Sequence, residues 1–152
     1  MDDRIASFWS RFLQSAAAAG RERPEIYDTM QIGNTPGSAD HGAALILSGR
    51  KTATSSHPRD YPASGAEPFV GALSIVLDGS GAPVAVVETV EVERRAIASL
   101  DAAYARDYAE WDGTAETLRR ELAAYNRCDM SERLICERIR VIYPPAADTP
   151  PT

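Results

Sequence analysis

Two strand-like runs joined by a short turn constrain the fold of this chain more than any other feature. The runs cover residues 71–78 and 83–93, and the turn between them reads Asp-Gly-Ser-Gly. Valine and threonine, which favour strands, dominate the second run. Asp and Gly between two such runs favour a tight reversal of the chain. The pattern therefore predicts a β-hairpin, around which the rest of the sheet must be built.

The remaining apolar patterns indicate helices interleaved with further strands. Apolar residues at helical spacing predict an amphipathic helix over about residues 4–19, and they are Ile5, Phe8, Trp9, Phe12 and Leu13. Other helices are predicted over residues 38–48, 97–107 and 114–125, and other strands over residues 25–32 and 134–143. This order of elements predicts an α+β fold with a mostly antiparallel sheet that can curl into a barrel.

Capping chemistry predicts where two of these helices begin and end. Ser38 is expected at the N-cap of the second helix, and Gly49 lies just beyond its last residue. Asp112 or Gly113 is expected to cap the helix over residues 114–125.

Composition excludes several classes of protein. No run approaches the roughly 20 apolar residues that a membrane-spanning helix needs, so a cytoplasmic location is predicted. The two cysteines, Cys128 and Cys136, and the two histidines, His41 and His57, lack the spacing of a zinc site or a disulfide framework. No cofactor is therefore expected, and a divalent metal is required only by some routes of RNA cleavage.

The net charge of −6 argues against broad, sequence-independent binding to nucleic acid, which depends on many phosphate contacts. A local basic cluster of Arg50, Lys51 and Arg59 is nevertheless present. A small polar ligand or a short single strand fits this balance better than a long duplex.

Residues 49–56, which read Gly-Arg-Lys-Thr-Ala-Thr-Ser-Ser, concentrate the side chains that can carry chemistry. In an extended chain Lys51 and Ser55 share one face and Thr54 and Ser56 the other, whereas a turn lets Lys51 and Thr54 converge on one pocket. Burial or a neighbouring cation lowers the pKa of a lysine, and hydroxyls then serve as nucleophiles or donors. An ordinary polar connection is equally compatible with this composition.

Three carboxylates are candidates to complete a lysine site. Glu110 and Asp112 precede the helix over residues 114–125, where they can orient the lysine or simply favour the helix N-terminus. Glu88, on the second hairpin strand, is the third candidate. Tyr61 and Trp111 are loop aromatics on which a nucleobase can stack, although such residues also cover cores.

Several collinear segments resemble the ASCH domain family. The most specific is residues 45–55, Leu-Ile-Leu-Ser-Gly-Arg-Lys-Thr-Ala-Thr-Ser, in which Gly-x-Lys is followed by a threonine three residues beyond the lysine. Residues 8–12, 71–78, 83–92 and 134–143 also match, so the resemblance covers about residues 8–143. It implies a PUA-like curled β-barrel with flanking helices and a cleft, as a single domain over residues 1–143. The proline-rich residues 144–152 are expected to be a disordered tail.

The resemblance also implies a link to RNA. Some family members resemble amidohydrolases that remove the acetyl group of N4-acetylcytidine with a lysine, a threonine and a glutamate, and others resemble single-strand ribonucleases. Carried over, the lysine falls on Lys51 and the threonine on Thr54. The family's Glu-Gly-Glu-Gly-Asp stretch is replaced here by Tyr-Ala-Glu-Trp-Asp, in which Glu110 is the best match and Asp112 the second.

Two functions follow from this resemblance. In the first, Lys51 is the base that activates Thr54 or a water on an acylated cytosine nucleoside, Glu110 positions the lysine, and Ser55 or a backbone amide holds the oxyanion. In the second, the basic cluster binds single-stranded RNA, with or without cleavage. The substrate-binding candidates are Arg50, Ser55, Ser56, Arg59, Tyr61, Trp111 and Asp112. The expected partner is a modified nucleoside or single-stranded RNA, with monomer and homodimer both open.

Overall fold

The computed structural model describes residues 2–63 and 65–145. The elements along the chain are α1 (Asp3–Leu13), β1 (Ile26–Met30), α2 (Pro36–Leu47), β2 (Ala53–Ser56), β3 (Leu73–Leu77), β4 (Pro83–Ala96), α3 (Ala102–Tyr108), α4 (Ala115–Asn126) and β5 (Arg133–Tyr143). Short 3₁₀ turns lie at Ala16–Ala18, Pro58–Asp60 and Ile97–Ser99.

The strands form a five-stranded sheet in the order β1, β3, β4, β5, β2. β3 runs antiparallel to β4, and β2 runs antiparallel to β5, whereas β1 pairs with β3 in parallel. The predicted mixed α+β class is therefore confirmed. No pairing closes the sheet from β1 onto β2 within the described residues, so the predicted barrel is not confirmed.

The predicted hairpin is formed by β3 and β4. Leu73 lies opposite Glu88, and Val76 lies opposite Ala85. The carboxylate of Asp78 stabilises the turn by accepting hydrogen bonds from the backbone N–H groups of Ser80 (2.9 Å) and Ala82 (3.0 Å). A single aspartate thus satisfies two backbone donors that the reversal would otherwise leave unpaired.

One compact unit comprises residues 2–49, 71–88 and 140–145 of the described chain. Its core packs α1 against β3 and β4 through buried residues that include Phe8, Phe12, Ile75 and Val86. The first helix is shorter than predicted, because it ends at Leu13 and is followed by a separate 3₁₀ turn. The Ser15 hydroxyl donates to the Phe12 carbonyl (2.6 Å), which satisfies an acceptor at the helix end.

For α2, the predicted N-cap residue was wrong, whereas the predicted position of Gly49 just beyond the helix end was confirmed. Thr35, not Ser38, is the N-cap, and its side chain accepts from the Ser38 N–H while the Ser38 hydroxyl accepts from the Thr35 N–H. Ser38 therefore serves as the third helical residue of a capping box. Gly49 follows the Ser48 C-cap with a φ of 79°, a conformation that glycine adopts at little cost.

The other compact unit comprises residues 50–63, 65–70 and 89–139. Its core packs α3 and α4 against β2 and β5 through buried residues, among them Ala53, Ile97, Leu100, Tyr104, Tyr108, Leu118, Leu122, Leu134 and Cys136. The helix predicted over residues 97–107 divides into the 3₁₀ turn and α3, because Asp101 starts a new helix by accepting from the Tyr104 N–H (2.9 Å).

The predicted cap of α4 was also displaced by one or two residues. Thr114 is the N-cap, and its hydroxyl accepts from the Thr117 N–H. Asp112 supports this cap from outside by accepting from the Thr114 N–H and the Thr117 hydroxyl.

Within residues 2–63 and 65–145, no helix is both long enough and apolar enough to cross a membrane. Most of the tail predicted to be disordered, residues 146–152, lies outside the described residues.

Candidate functional site

Lys51 is the most deeply buried charged residue among the sequence candidates, with only 1% of its surface exposed. Its ammonium Nζ lies 2.6 Å from Oε2 of Glu110. It also donates to the carbonyl oxygens of Ala53 (2.7 Å) and Tyr108 (3.2 Å). A buried cation needs a carboxylate and further acceptors in place of water, and all of these lie within the second compact unit.

The chain between Tyr108 and Glu110 turns sharply, which explains how both residues reach Lys51. Ala109 is the C-cap of α3 and lies in the left-handed region, with φ 63° and ψ 1°. A non-glycine residue is uncommon there, and its left-handed conformation costs about 1 kcal/mol. The reversal presents the last carbonyl of the helix and the Glu110 carboxylate to the same ammonium.

Burial lowers the pKa of Lys51 from 10.5 to about 8, and the opposing attraction of Glu110 prevents a larger fall. About a tenth of the lysine is therefore neutral at pH 7, whereas an ordinary lysine is almost wholly charged. A lysine with this pKa can accept a proton near neutral pH, which is what a general base requires.

Tyr108 forms the centre of the site. Lys51 Nζ lies 3.5 Å from the centroid of its ring, a cation–π geometry, and Ser55 Oγ lies 3.0 Å from its hydroxyl oxygen. Burial and the nearby Glu110 carboxylate raise the pKa of Tyr108, while the Ser55 and Thr54 hydroxyls oppose that rise. The phenol therefore stays protonated at neutral pH and keeps a hydrogen to donate.

Trp111 supplies an aromatic surface beside this phenol. Its ring stacks on Tyr108 with 5.6 Å between centroids and an interplanar angle of 9°. The residue is 38% exposed, so part of the indole faces solvent while the rest covers Tyr108. A second planar ring can stack on such a surface.

Thr54 lies in β2 beside these residues and is 7% exposed. Burial raises the pKa of the Tyr108 phenol, and the Thr54 hydroxyl is one of the two hydroxyls that oppose this rise. Its carbonyl accepts a 2.6 Å hydrogen bond from the Tyr104 hydroxyl, which fixes the strand against α3. The ammonium of Lys51, in contrast, is held by Glu110 and by two backbone carbonyls.

The remaining residues that the sequence predicted to bind substrate differ in their surroundings. The Ser56 hydroxyl accepts from the Tyr61 hydroxyl (3.0 Å), while Arg50 and Arg59 are exposed. Asp112 is engaged in the α4 cap described above.

Glu88 belongs to the first compact unit, where its carboxylate pairs with Arg21 (3.1 Å) and Arg140 (2.6 Å). Of the three acidic candidates, Glu110 is the one that contacts the lysine.

Sequence reasoning missed Tyr108, Tyr104 and Glu137. Glu137 lies in β5, is 5% exposed, and accepts a 2.9 Å hydrogen bond from the Thr89 hydroxyl. A signal for it was present, since residues 135, 137 and 139 share one strand face and the two flanking positions are isoleucines. A carboxylate between two apolar residues of one face points inward rather than to solvent.

In the part of the chain that the structure describes, no group of three or more His, Cys, Asp and Glu side chains is arranged to hold a metal ion.

Comparison with known proteins gives a family and a fold. The family model described as ASCH domain matches residues 28–143. A crystal structure of an ASCH domain from Lactobacillus crispatus JV V101 superposes with a TM-score of 0.80 at 22% identity, covering 93% of this chain and 96% of that one. A crystal structure of a protein from Enterococcus faecalis V583 gives a TM-score of 0.77 at 24% identity, covering 93% and 89%. No curated protein matches the chain.

Proposed function

This chain belongs to the ASCH domain family, and from that premise we propose that it hydrolyses the amide of an acylated cytosine nucleoside of the N4-acetylcytidine type. The observation that carries the proposal is the buried Lys51 ammonium, whose Nζ lies 2.6 Å from Glu110 and whose pKa is lowered to about 8. Perturbed groups of this kind concentrate at functional sites.

The proposed reaction uses the neutral Lys51 amine as a general base. It takes a proton from water as the water oxygen bonds to the acyl carbon, and the carbon–nitrogen bond of the resulting tetrahedral intermediate then breaks. The lysine ammonium returns the proton to the departing N4 nitrogen, so the products are a carboxylic acid and cytidine. If Thr54 attacks first, its ester is released by water with the same overall balance.

The neighbouring groups have separate tasks in this reaction. Glu110 keeps Lys51 oriented and stabilises its protonated form after the proton is taken. The Ser55 hydroxyl, 3.0 Å from the protonated Tyr108 hydroxyl, can donate to the oxyanion of the intermediate. The exposed part of Trp111 offers a stacking surface for the cytosine ring.

Incubation of the purified protein with N4-acetylcytidine, with cytidine measured by chromatography, tests the proposal. Lys51→Met removes the base and should lower kcat about 10²–10⁴-fold. Glu110→Gln keeps the shape of the side chain but removes its charge, and should lower kcat about tenfold or more. Absence of cytidine with the wild type, or equal product from Lys51→Met, would contradict the proposal.

Asp112→Asn is the matched control for Glu110→Gln, because both remove one acidic charge within three residues. Asp112 hydrogen-bonds to Thr114 and Thr117 rather than to Lys51. The control should retain activity within a few-fold and lose only part of the α4 cap, about 1 kcal/mol. Loss of activity in Asp112→Asn with retention in Glu110→Gln would transfer the carboxylate role to Asp112.

A further inference from the structure

Three polar side chains form a row across β2, β5 and β4 in the second compact unit. Thr54 in β2 lies directly opposite Glu137 in β5, and Thr89 in β4 donates to Glu137 Oε1 at 2.9 Å. Directly opposed residues of antiparallel strands share a face, with Cβ atoms about 5 Å apart. All three are buried, with exposed fractions of 7% for Thr54, 5% for Glu137 and 2% for Thr89.

Glu137 is poorly compensated for a buried carboxyl. Glu88 is paired with two arginines and Glu110 with Lys51, whereas no ion pair among the described residues includes Glu137. Among the described residues, Thr89 is the one donor to this carboxyl. Burying a carboxyl with so little compensation is costly, and a β-branched apolar residue would be the stable choice at this strand position. A buried group that weakens the fold is expected where that group binds a ligand.

The protein holds this pair of residues rigidly. The Tyr104 hydroxyl donates to the Thr54 carbonyl (2.6 Å) and also lies 3.4 Å from the Glu137 carbonyl. One phenol therefore ties together the backbones of the two strands at the position where Thr54 and Glu137 oppose each other. Binding groups on rigid strands keep the geometry that a ligand needs.

We infer that Glu137 is a further substrate-binding residue of the Lys51 site, whose carboxyl contacts the polar edge of the nucleobase beside the Thr54 hydroxyl. The inference rests on the proposed function, because Thr54 links this row to Tyr108, whose ring lies against the Lys51 ammonium.

The form of the Glu137 carboxyl that burial favours indicates which kind of edge it binds. Burial raises the pKa of this carboxyl, and the Thr89 hydrogen bond only partly opposes the rise. In its protonated form this carboxyl carries an O–H donor next to a carbonyl acceptor. The complementary partner has an acceptor nitrogen next to an N–H donor, which is the arrangement of N3 and the N4 amide hydrogen in an N4-acylated cytosine.

Two substitutions separate a binding role of Glu137 from a structural one. Glu137→Gln retains one donor and one acceptor in the same shape, so kcat/KM for N4-acetylcytidine should stay within about threefold of the wild type. Glu137→Met retains the volume but removes both groups, and should raise KM about 10–100-fold with a smaller effect on kcat. Thr89→Val removes the hydroxyl that orients the Glu137 carboxyl. It should therefore also raise KM, by less than Glu137→Met does.

Glu93→Gln and Glu93→Met are the matched controls, because Glu93 lies in β4 with 51% of its side chain exposed. They should leave both kinetic constants unchanged. Equal KM values for the wild type, Glu137→Gln and Glu137→Met would overturn the inference, as would equal loss in Glu137→Gln and Glu137→Met.

A binding measurement makes the inference independent of the proposed reaction. Cytidine, titrated into the wild type and both Glu137 variants by calorimetry, should bind to the wild type and to Glu137→Gln and bind at least tenfold more weakly to Glu137→Met. If that pattern appears without any hydrolysis, the proposed function fails and the inference about Glu137 stands. If hydrolysis occurs equally in all three proteins, the function stands and the inference fails. No cytidine binding by the wild type together with no hydrolysis overturns both.

Discussion

At the scale of single residues, Lys51 gives the reaction its expected pH dependence. The proposed base must be neutral to accept a proton, and the Lys51 pKa of about 8 lies within the range where the protein can be assayed. We expect kcat/KM for N4-acetylcytidine to rise about tenfold per pH unit below pH 8 and to level off above it. A stopped assay between pH 6 and 9.5 measures this profile. A rate that falls as the pH rises through 8 would mean that the charged lysine is the active form.

The same lysine should make stability depend on pH. The pKa of Lys51 is lower in the folded protein than in the unfolded chain, so between about pH 8 and 10.5 the unfolded chain holds more protons. Stability from this group therefore rises with pH across that window, by up to roughly 3 kcal/mol for a shift from 10.5 to about 8. Denaturant unfolding from pH 7.5 to 9.5 should show this rise in the wild type relative to Lys51→Met. Parallel curves for the two proteins would contradict the lowered pKa.

At the scale of elements, the packing of α2 depends on a glycine in its interior. A Cβ at Gly42 would lie 2.3–2.5 Å from the Ile32 Cβ, Cγ1 and Cγ2 atoms, too close for either residue to adjust by rotation alone. Gly42→Ala should therefore lower the free energy of unfolding by about 1–3 kcal/mol. Gly37→Ala in the same helix is the control, because its Cβ would meet only Thr35 Oγ1 at 4.0 Å. Gly37→Ala should leave the free energy of unfolding unchanged or raise it by up to about 1 kcal/mol. An equal loss of this free energy in both variants would show that α2 is not closely packed at Gly42.

The elements also show what the sequence could and could not predict. The β3–β4 hairpin was predicted because strand formers and an Asp-Gly turn are local signals. Glu110 was predicted from its position before α4 and from the family resemblance. Its contact with Lys51, however, depends on the left-handed Ala109, and alanine gives no signal for that conformation. Tyr108 was missed because its role comes from α3 packing on β2, a contact between residues more than 50 positions apart. Glu137 was detectable from strand alternation alone.

At the scale of the whole molecule, charge bears on whether a nucleoside or single-stranded RNA is the substrate. Lys51 is buried and paired with Glu110, so of the basic cluster only Arg50 and Arg59 are exposed to meet phosphates. The chain as a whole carries a net charge of −6. A neutral nucleoside is not repelled by this charge, whereas each phosphate of a single strand is.

We therefore expect kcat/KM for N4-acetylcytidine to change less than about twofold between 50 and 300 mM salt, because the substrate carries no charge for salt to screen. The 5′-monophosphate of the same nucleoside should be the poorer substrate at 50 mM salt and should approach the nucleoside as salt screens the repulsion. Steady-state rates for both substrates, at constant pH and protein concentration, provide the measurement. Single-strand RNA binding through Arg50 and Arg59 would give the opposite trend, a roughly tenfold loss over the same range for two phosphate contacts. A rate or an affinity that falls this steeply with salt would favour RNA as the substrate.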